Sequence, residues 1–287
     1  MKNQKIRMLI PTGRMNAKLM PLLTECGYGV EESDRNYRPK CNIEDIEVKF
    51  LKPINIPNLI AIGRHDFGFC GVDWVQEHKA KVEVMLELGL NPVKLVLAAP
   101  AGMTLSKLKR RSKLVLATEY PNIAKKYLKS QKIDAMVLRT NGTTEVYPPD
   151  DADMIVDNTS TGSTLKANNL NILSTLMHSS TSFLVNKESL KNPKVKKHTE
   201  NIAMLLESAI VAKKKVILEM NVGEKHLQKL LNVLPAMKSP TVQTLAGGKS
   251  FAVRSVVDKK QVGLLIPELK KVGATDIIES VLRKVLP

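Results

Sequence analysis

The 287 residues are enough for two or three domains with a normal apolar core. No apolar run is long enough to span a bilayer and no signal-peptide h-region follows Met1, so a cytoplasmic protein without a membrane partner is expected. A net charge of +16 calls for anionic partners, but aromatics make up only 4% and the lysines are dispersed, which argues against a nucleic-acid platform and for small anions such as nucleotides or pyrophosphate.

In chain order, the first half alternates strand and helix signals. Ile6 to Pro11 reads as a strand, Ala17 to Cys26 as an amphipathic helix closed by Gly27, and Glu47 to Lys52 as an alternating strand. Ile56 to Ile62 is a short helix stopped by Gly63, and Asp66 to Gly71 is a glycine-bearing strand end. Strands follow at Val93 to Ala98, Lys113 to Ala117, Ala135 to Leu138 and Met154 to Asp157, with a helix from Asn122 to Ser130. This alternation predicts an α/β architecture with largely parallel sheets, arranged as two lobes around a cleft. Cys26, Cys41 and Cys70 are odd in number, scattered and without metal spacing, as in a reduced protein.

The stretch Asp157-Asn-Thr-Ser-Thr-Gly-Ser-Thr164 follows a buried-strand pattern and leads into helical spacing at Leu165, Asn168, Asn169 and Ile172. Strand, hydroxyl-rich loop and helix start together form a phosphate cradle: free N–H groups point at one spot, and Gly162 lets the backbone come close to an anion. Thr159, Ser160, Thr161, Ser163 and Thr164 offer hydroxyl donors, and Asp157 can accept from a sugar diol. An ordinary N-cap is the competing reading of the same residues.

Beyond a lysine-rich stretch, Asn186 to His198, a long helix is expected from Thr199 to Lys213. The tail then reads as strand Val216 to Val222, helix Glu224 to Leu234, strands Thr241 to Leu245 and Phe251 to Val257, helix Gln261 to Val272 and strand Asp276 to Leu282. That order, β-α-β-β-α-β, is ferredoxin-like.

Three segments in order, Ala117 to Tyr127, Asn141 to Val146 and the Asp157 loop, resemble ATP phosphoribosyltransferase of histidine biosynthesis. The tail segments Val216 to Val222 and Val233 to Val242 resemble the regulatory domain of its long form. The resemblance implies a two-lobed catalytic part like a periplasmic binding protein plus a ferredoxin-like regulatory domain. The implied divisions are lobe I at 1–96 completed by 177–212, lobe II at 97–176, and the regulatory domain at 214–287. It also implies a glycosyltransferase that joins ATP and phosphoribosyl pyrophosphate to give phosphoribosyl-ATP and pyrophosphate. Mg²⁺ would be bound chiefly by pyrophosphate and water with no dedicated protein cage, histidine would be the inhibitor, and the assembly would be a homo-hexamer.

Carried residue by residue, the resemblance gives Asp157, Glu145 and Arg14 catalytic roles. The 5-phosphate and ribose fall to Asp157 and Thr159, Ser160, Thr161, Gly162, Ser163 and Thr164. Arg14, Arg35, Gly71 and Tyr120 are expected at the nucleotide, and Asn221, Met237, Ser239, Thr241 and Asp276 at histidine. Glu145 reads equally as an exposed loop residue, and Tyr120 equally as packing. Thr12 stands where lysine is usual in Pro-Lys-Gly-Arg-Leu, and Phe69 and Cys70 depart from Gly-Ile-Thr-Gly-x-Asp. These departures leave room for another acceptor, and a non-catalytic binding protein for a nucleotide or other small ligand is the second alternative.

Overall fold

The computed structural model describes residues 5–31 and 36–286. The chain folds as two compact units, Met1–Ala203 and Met204–Pro287.

The first unit opens with β1 (Ile6–Pro11), α1 (Arg14–Glu25), β2 (Ile46–Leu51), α2 (Ile56–Ala61), β3 (Phe67–Gly71) and α3 (Val72–His78). It continues with β4 (Glu83–Pro100), α4 (Leu105–Lys109), β5 (Leu114–Thr118), α5 (Pro121–Gln131), β6 (Ala135–Arg139), β7 (Met154–Thr159), α6 (Ser163–Ala167) and β8 (Leu170–Val185). The strands form one eight-stranded sheet in the order β2-β1-β3-β8-β4-β7-β5-β6. α7 (Pro193–Ala212) carries the chain onward.

The sheet is mixed, which corrects the expectation of largely parallel pairing. β1, β2 and β3 are mutually parallel, as are β5, β6 and β7. Between these groups run β4 and β8, antiparallel to each other and to their neighbours β7 and β3. Only the inner end of β4 is legible as a strand in the sequence. There Leu95, Leu97 and Ala99 enter one core while Val96 and Ala98 enter another on the opposite face. A strand covered on both faces reads as a continuous apolar run. Its outer end is solvated, and its pairing with β8 is irregular around Gly89 and Asn91, both with positive φ.

The expected helix through Ile172 is also corrected. α6 ends at Ala167, Asn168 turns its side-chain amide onto the Thr164 carbonyl at 3.0 Å, and Asn169 sits at φ 55°. Asparagine tolerates this left-handed stop better than other non-glycine residues. Ile172 lies in β8, and its helical spacing from Leu165 is coincidental.

The second unit contains β9 (Lys215–Gly223), α8 (Glu224–Val233), β10 (Thr241–Thr244), β11 (Ser250–Asp258), α9 (Val262–Lys271) and β12 (Ala274–Val281). Its antiparallel sheet has the order β10-β11-β9-β12, the ferredoxin-like arrangement. β9 alternates strictly, with Val216, Leu218, Met220 and Val222 buried in a core that includes Leu230 of α8 and Leu265 and Leu269 of α9. One face of the sheet is thus packed under helices and the other carries Glu219 and Asn221 outward.

Candidate active site

The loop after β7 closes on itself. The Gly162 N–H donates to Thr159 Oγ1 at 2.9 Å, the Ser163 N–H to Thr161 Oγ1 at 3.3 Å, and the Thr161 and Ser163 hydroxyls lie 2.9 Å apart. Gly162, at φ 82°, is the turn into α6 and needs the freedom of glycine. Among the described residues Asp157 caps no helix: its Oδ1 accepts only the N–H of its neighbour Asn158, at 2.7 Å. The N-cap reading of Asp157 therefore falls away.

Asp157, Glu145, Thr159, Ser160, Thr161, Ser163 and Thr164 line a cavity of about 220 Å³, and Arg14 supplies its cation. Burial pushes the Asp157 carboxyl up to about 7, and the charges of Glu145 and Glu119 push the same way against the Asn158 hydrogen bond. The structure thus brings six of the seven residues assigned to phosphate and ribose, all but Gly162, around one cavity, with an acid that has few donors of its own.

A larger cavity of about 440 Å³ shares Arg14, Asn158 and Ser160 with the first. Thr12, Lys18, Gly71, Asp73, Trp74, Tyr120 and Thr181 are among its lining. Beneath it runs a hydrogen-bonded chain. The Ser179 hydroxyl donates to Asp73 Oδ1 at 2.7 Å, the Tyr120 hydroxyl to Asp73 Oδ2 at 2.8 Å, and the Asn158 amide to the Tyr120 oxygen at 3.1 Å. This chain ties α3, β8 and the start of α5 to the residue beside Asp157. Glu77, also on α3, accepts the N–H groups of Asn122 and Ile123 at 2.9 and 3.0 Å and so caps α5.

Of the two readings, the structure favours packing for Tyr120, which lines the larger cavity. Its ring is fully buried and stacks on Trp74 with centroids 4.3 Å apart, so it offers no face to a base; it packs the cavity floor. Burial, then the charge and hydrogen bond of Asp73, hold its phenol far above the usual range. Gly71 keeps its place for a different reason than expected: a Cβ there would collide with the Asp73 carboxylate. The close approach at this glycine is made by the protein's own side chain. Phe69 and Cys70 are both fully buried; Phe69 stacks on Phe183 and the Cys70 thiol donates to the Pro53 carbonyl at 3.2 Å. These two departures from the family pattern lie outside both cavity linings, whereas Thr12 lies on one. Arg35 falls outside the described residues.

Sequence reasoning singles out none of Trp74, Glu77, Asn158 and Ser179, and it reaches Asp73 only as the end of a glycine motif. Thr181, whose buried hydroxyl has no hydrogen-bond partner among the described residues, gives no sequence signal.

In the second unit, Asn221, Thr241 and Asp276 line a cavity of about 260 Å³ on the open sheet face, with Glu219, Gln243 and Arg254. Asp276 accepts from the Asn221 amide at 3.0 Å and the Thr275 hydroxyl at 2.9 Å, and these bonds hold its carboxyl below the usual range. Met237 and Ser239 are exposed in the segment before β10 and are not in that lining.

Residues 52–208 match the family model described as ATP phosphoribosyltransferase, and residues 212–284 match the model described as HisG, C-terminal domain. An ATP phosphoribosyltransferase of Thermodesulfovibrio yellowstonii is 37% identical over 292 residues, covering 100% of both chains. The chain belongs to the ATP phosphoribosyltransferase family. It has the family's long form, with the C-terminal domain. The ATP phosphoribosyltransferase of Pelodictyon phaeoclathratiforme is 35% identical, over 99% of this chain and 98% of that protein. Among solved structures, an ATP phosphoribosyl transferase (HisG:HisZ) complex from Thermotoga maritima aligns with a TM-score of 0.63 at 29% identity, covering 70% of this chain and 98% of that one. The ATP phosphoribosyltransferase family acts at the first step of histidine biosynthesis, and the fit runs through both units. No helix among the described residues is long and apolar enough to cross a membrane.

Proposed function

We propose that the paired cavities of the first unit hold phosphoribosyl pyrophosphate and ATP for phosphoribosyl transfer. The smaller cavity takes the sugar phosphate: the 5-phosphate on the loop 161–164 and the ribose diol on Asp157. The larger takes the nucleotide, and Arg14, on both walls, lies where the leaving pyrophosphate and the nucleotide phosphates meet. The observation that carries this reading is Asp157, a half-buried acid with one backbone donor in a cavity otherwise walled mostly by hydroxyls.

The chemistry asks little covalent work of the protein. Adenine N1 attacks the anomeric carbon as the C–O bond to pyrophosphate breaks through an oxocarbenium-like centre. Alignment of the two substrates and charge placement supply most of the acceleration. Asp157 orients the sugar and offsets positive charge on the ring; Glu145 adds a second carboxylate on the same wall. These two oxygen donors suit a Mg²⁺ ion held mainly by pyrophosphate oxygens and water, which neutralises the leaving group when bound. No group of three or more His, Cys, Asp or Glu arranged to hold a metal occurs among the described residues, and substrate-borne magnesium requires none.

The same reading makes 1–96 with 177–212 one lobe, 97–176 the other, and 214–287 a regulatory domain in a cytoplasmic homo-hexamer. Histidine is the regulator, its amino group or ring meeting Asp276 and its carboxylate Asn221 and Thr241. The open-face cavity supports this with the Asp276 carboxylate flanked by amide and hydroxyl groups, beside a Glu219–Arg254 ion pair. A pyrophosphate-release assay with phosphoribosyl pyrophosphate and a panel of nucleotides tests the whole reading. Release with ATP above the other nucleotides is expected; release with a different acceptor alone would change the substrate.

A further inference from the structure

We infer that Lys18 is a nucleotide-specific phosphate contact: it binds the polyphosphate of the nucleoside triphosphate and leaves the sugar pyrophosphate to Arg14. The inference rests on the larger cavity being the nucleotide site.

Three observations lead there. First, α1 begins at Arg14, so Lys18 is four residues on and lies on the same helix face. That face turns toward the larger cavity, whose lining includes Arg14, Met15, Ala17 and Lys18. Second, both cations are exposed, and neither takes part in an ion pair among the described residues. Asp73, the acid in that lining, has its two oxygens engaged by Ser179 and Tyr120. Thr12, on the same wall, brings no charge and only a 3.4 Å hydrogen bond from its hydroxyl to the Leu51 carbonyl. The larger cavity's lining therefore carries two cations that form no ion pair among the described residues. Third, the two linings differ: Arg14 borders both cavities, Lys18 only the larger. A long chain of negative phosphates, reaching from a base in the larger cavity toward Arg14, passes Lys18; a ligand confined to the smaller cavity does not. Lysine serves here as a mobile point charge on a flexible stem, suited to a phosphate whose position shifts during the reaction.

The test is steady-state kinetics on the full chain, varying each substrate in turn, for wild type, Lys18→Gln, Lys18→Arg and Arg14→Gln. Lys18→Gln should raise KM for ATP about five- to tenfold with KM for phosphoribosyl pyrophosphate unmoved. Lys18→Arg should restore most of the loss, and Arg14→Gln should raise both KM values. The KM for ATP of Lys18→Gln should also depend less on salt than that of the wild type. Adding Thr12→Lys to Lys18→Gln should recover ATP affinity, because position 12 lines the same cavity. An unchanged KM for ATP, or an equal rise in both KM values, overturns the inference while leaving phosphoribosyl transfer intact. Equilibrium dialysis with ATP alone separates the two levels. If wild type binds ATP more tightly than Lys18→Gln yet releases no pyrophosphate, the contact stands and the proposed reaction fails. If wild type does not bind ATP, both fail.

Discussion

Asp157 and Asp276 are both aspartates on strands, each lining a cavity, yet their environments push them in opposite directions. Asp157 is desolvated, faces Glu145 and Glu119, and has a single backbone donor; its carboxyl rises to about 7. Asp276 is exposed and already accepts from Asn221 and Thr275, and its carboxyl falls. A buried acid short of donors gains most when a ligand brings hydroxyls or positive charge to it, as the reacting sugar does. An exposed acid held in place by its neighbours is a standing negative charge, suited to recognising a cation reversibly. On the proposed reading, one site serves transition-state charge and the other a regulator that comes and goes.

The largest expected effect breaks the first half of that comparison. Asp157→Ala removes a charge-assisted contact worth about 1.5–3 kcal/mol, so kcat/KM for phosphoribosyl pyrophosphate should drop by roughly ten- to a hundredfold or more, without a fall in melting temperature. Steady-state kinetics beside thermal melts decides this; a collapse in stability with normal turnover would return Asp157 to a structural role.

Next comes the packing that surrounds the site. Tyr120→Phe deletes a donor to Asp73 and leaves a buried carboxylate oxygen short of a partner, which costs about 1–3 kcal/mol of stability by denaturant unfolding. Gly71→Ala should disturb the same carboxylate from the other side, displacing it from Ser179 and Tyr120. If both variants unfold like wild type, the hydrogen-bonded chain is not what holds α3 and α5 together.

On the other half of the comparison, Thr241→Ala and Asn221→Ala should weaken histidine inhibition several-fold while leaving uninhibited turnover unchanged. Calorimetry with histidine checks this directly, and unaltered binding in both variants would move the regulator's site elsewhere.

A separate effect is on stability against pH. The native carboxyl of Asp157 titrates near 7 and the unfolded one near 3.8, so the native state holds the extra proton between those values. Stability contributed by this group is therefore greatest at low pH and is lost as pH rises through that window. Asp157→Asn should melt higher than wild type at pH 8, with the difference shrinking toward pH 4. No difference at pH 8 would show that the carboxyl is better solvated than its surroundings indicate.

The sequence makes some of these residues visible and hides others for physical reasons. The Asp157 loop alone reads equally as an ordinary N-cap and stands out through the family-like segments upstream of it, and the ferredoxin-like tail stands out because its strands alternate cleanly over one packed face. The outer end of β4 and the whole of β8 do not: β4 is solvated and bulged there, and β8 has no strict period from its half-exposed early part to its buried end at 181–185. Asp73, Glu77 and Asn158 escape notice because their importance comes from partners 38 to 106 residues away, a separation that only the fold closes. Tyr120 is recognisable by its motif, but the motif does not reveal that Trp74 already covers its face.

The central claim is that the Asp157 carboxyl contacts the ribose of phosphoribosyl pyrophosphate. Its most direct test is the ratio of kcat/KM for that substrate in wild type to that in Asp157→Asn, measured from pH 5.5 to 9. Titration of the substrate's own phosphates cancels in the ratio. It should rise through about pH 7, as the wild-type carboxyl ionises, and level off well above one. A ratio that stays near one across the range would contradict the assignment.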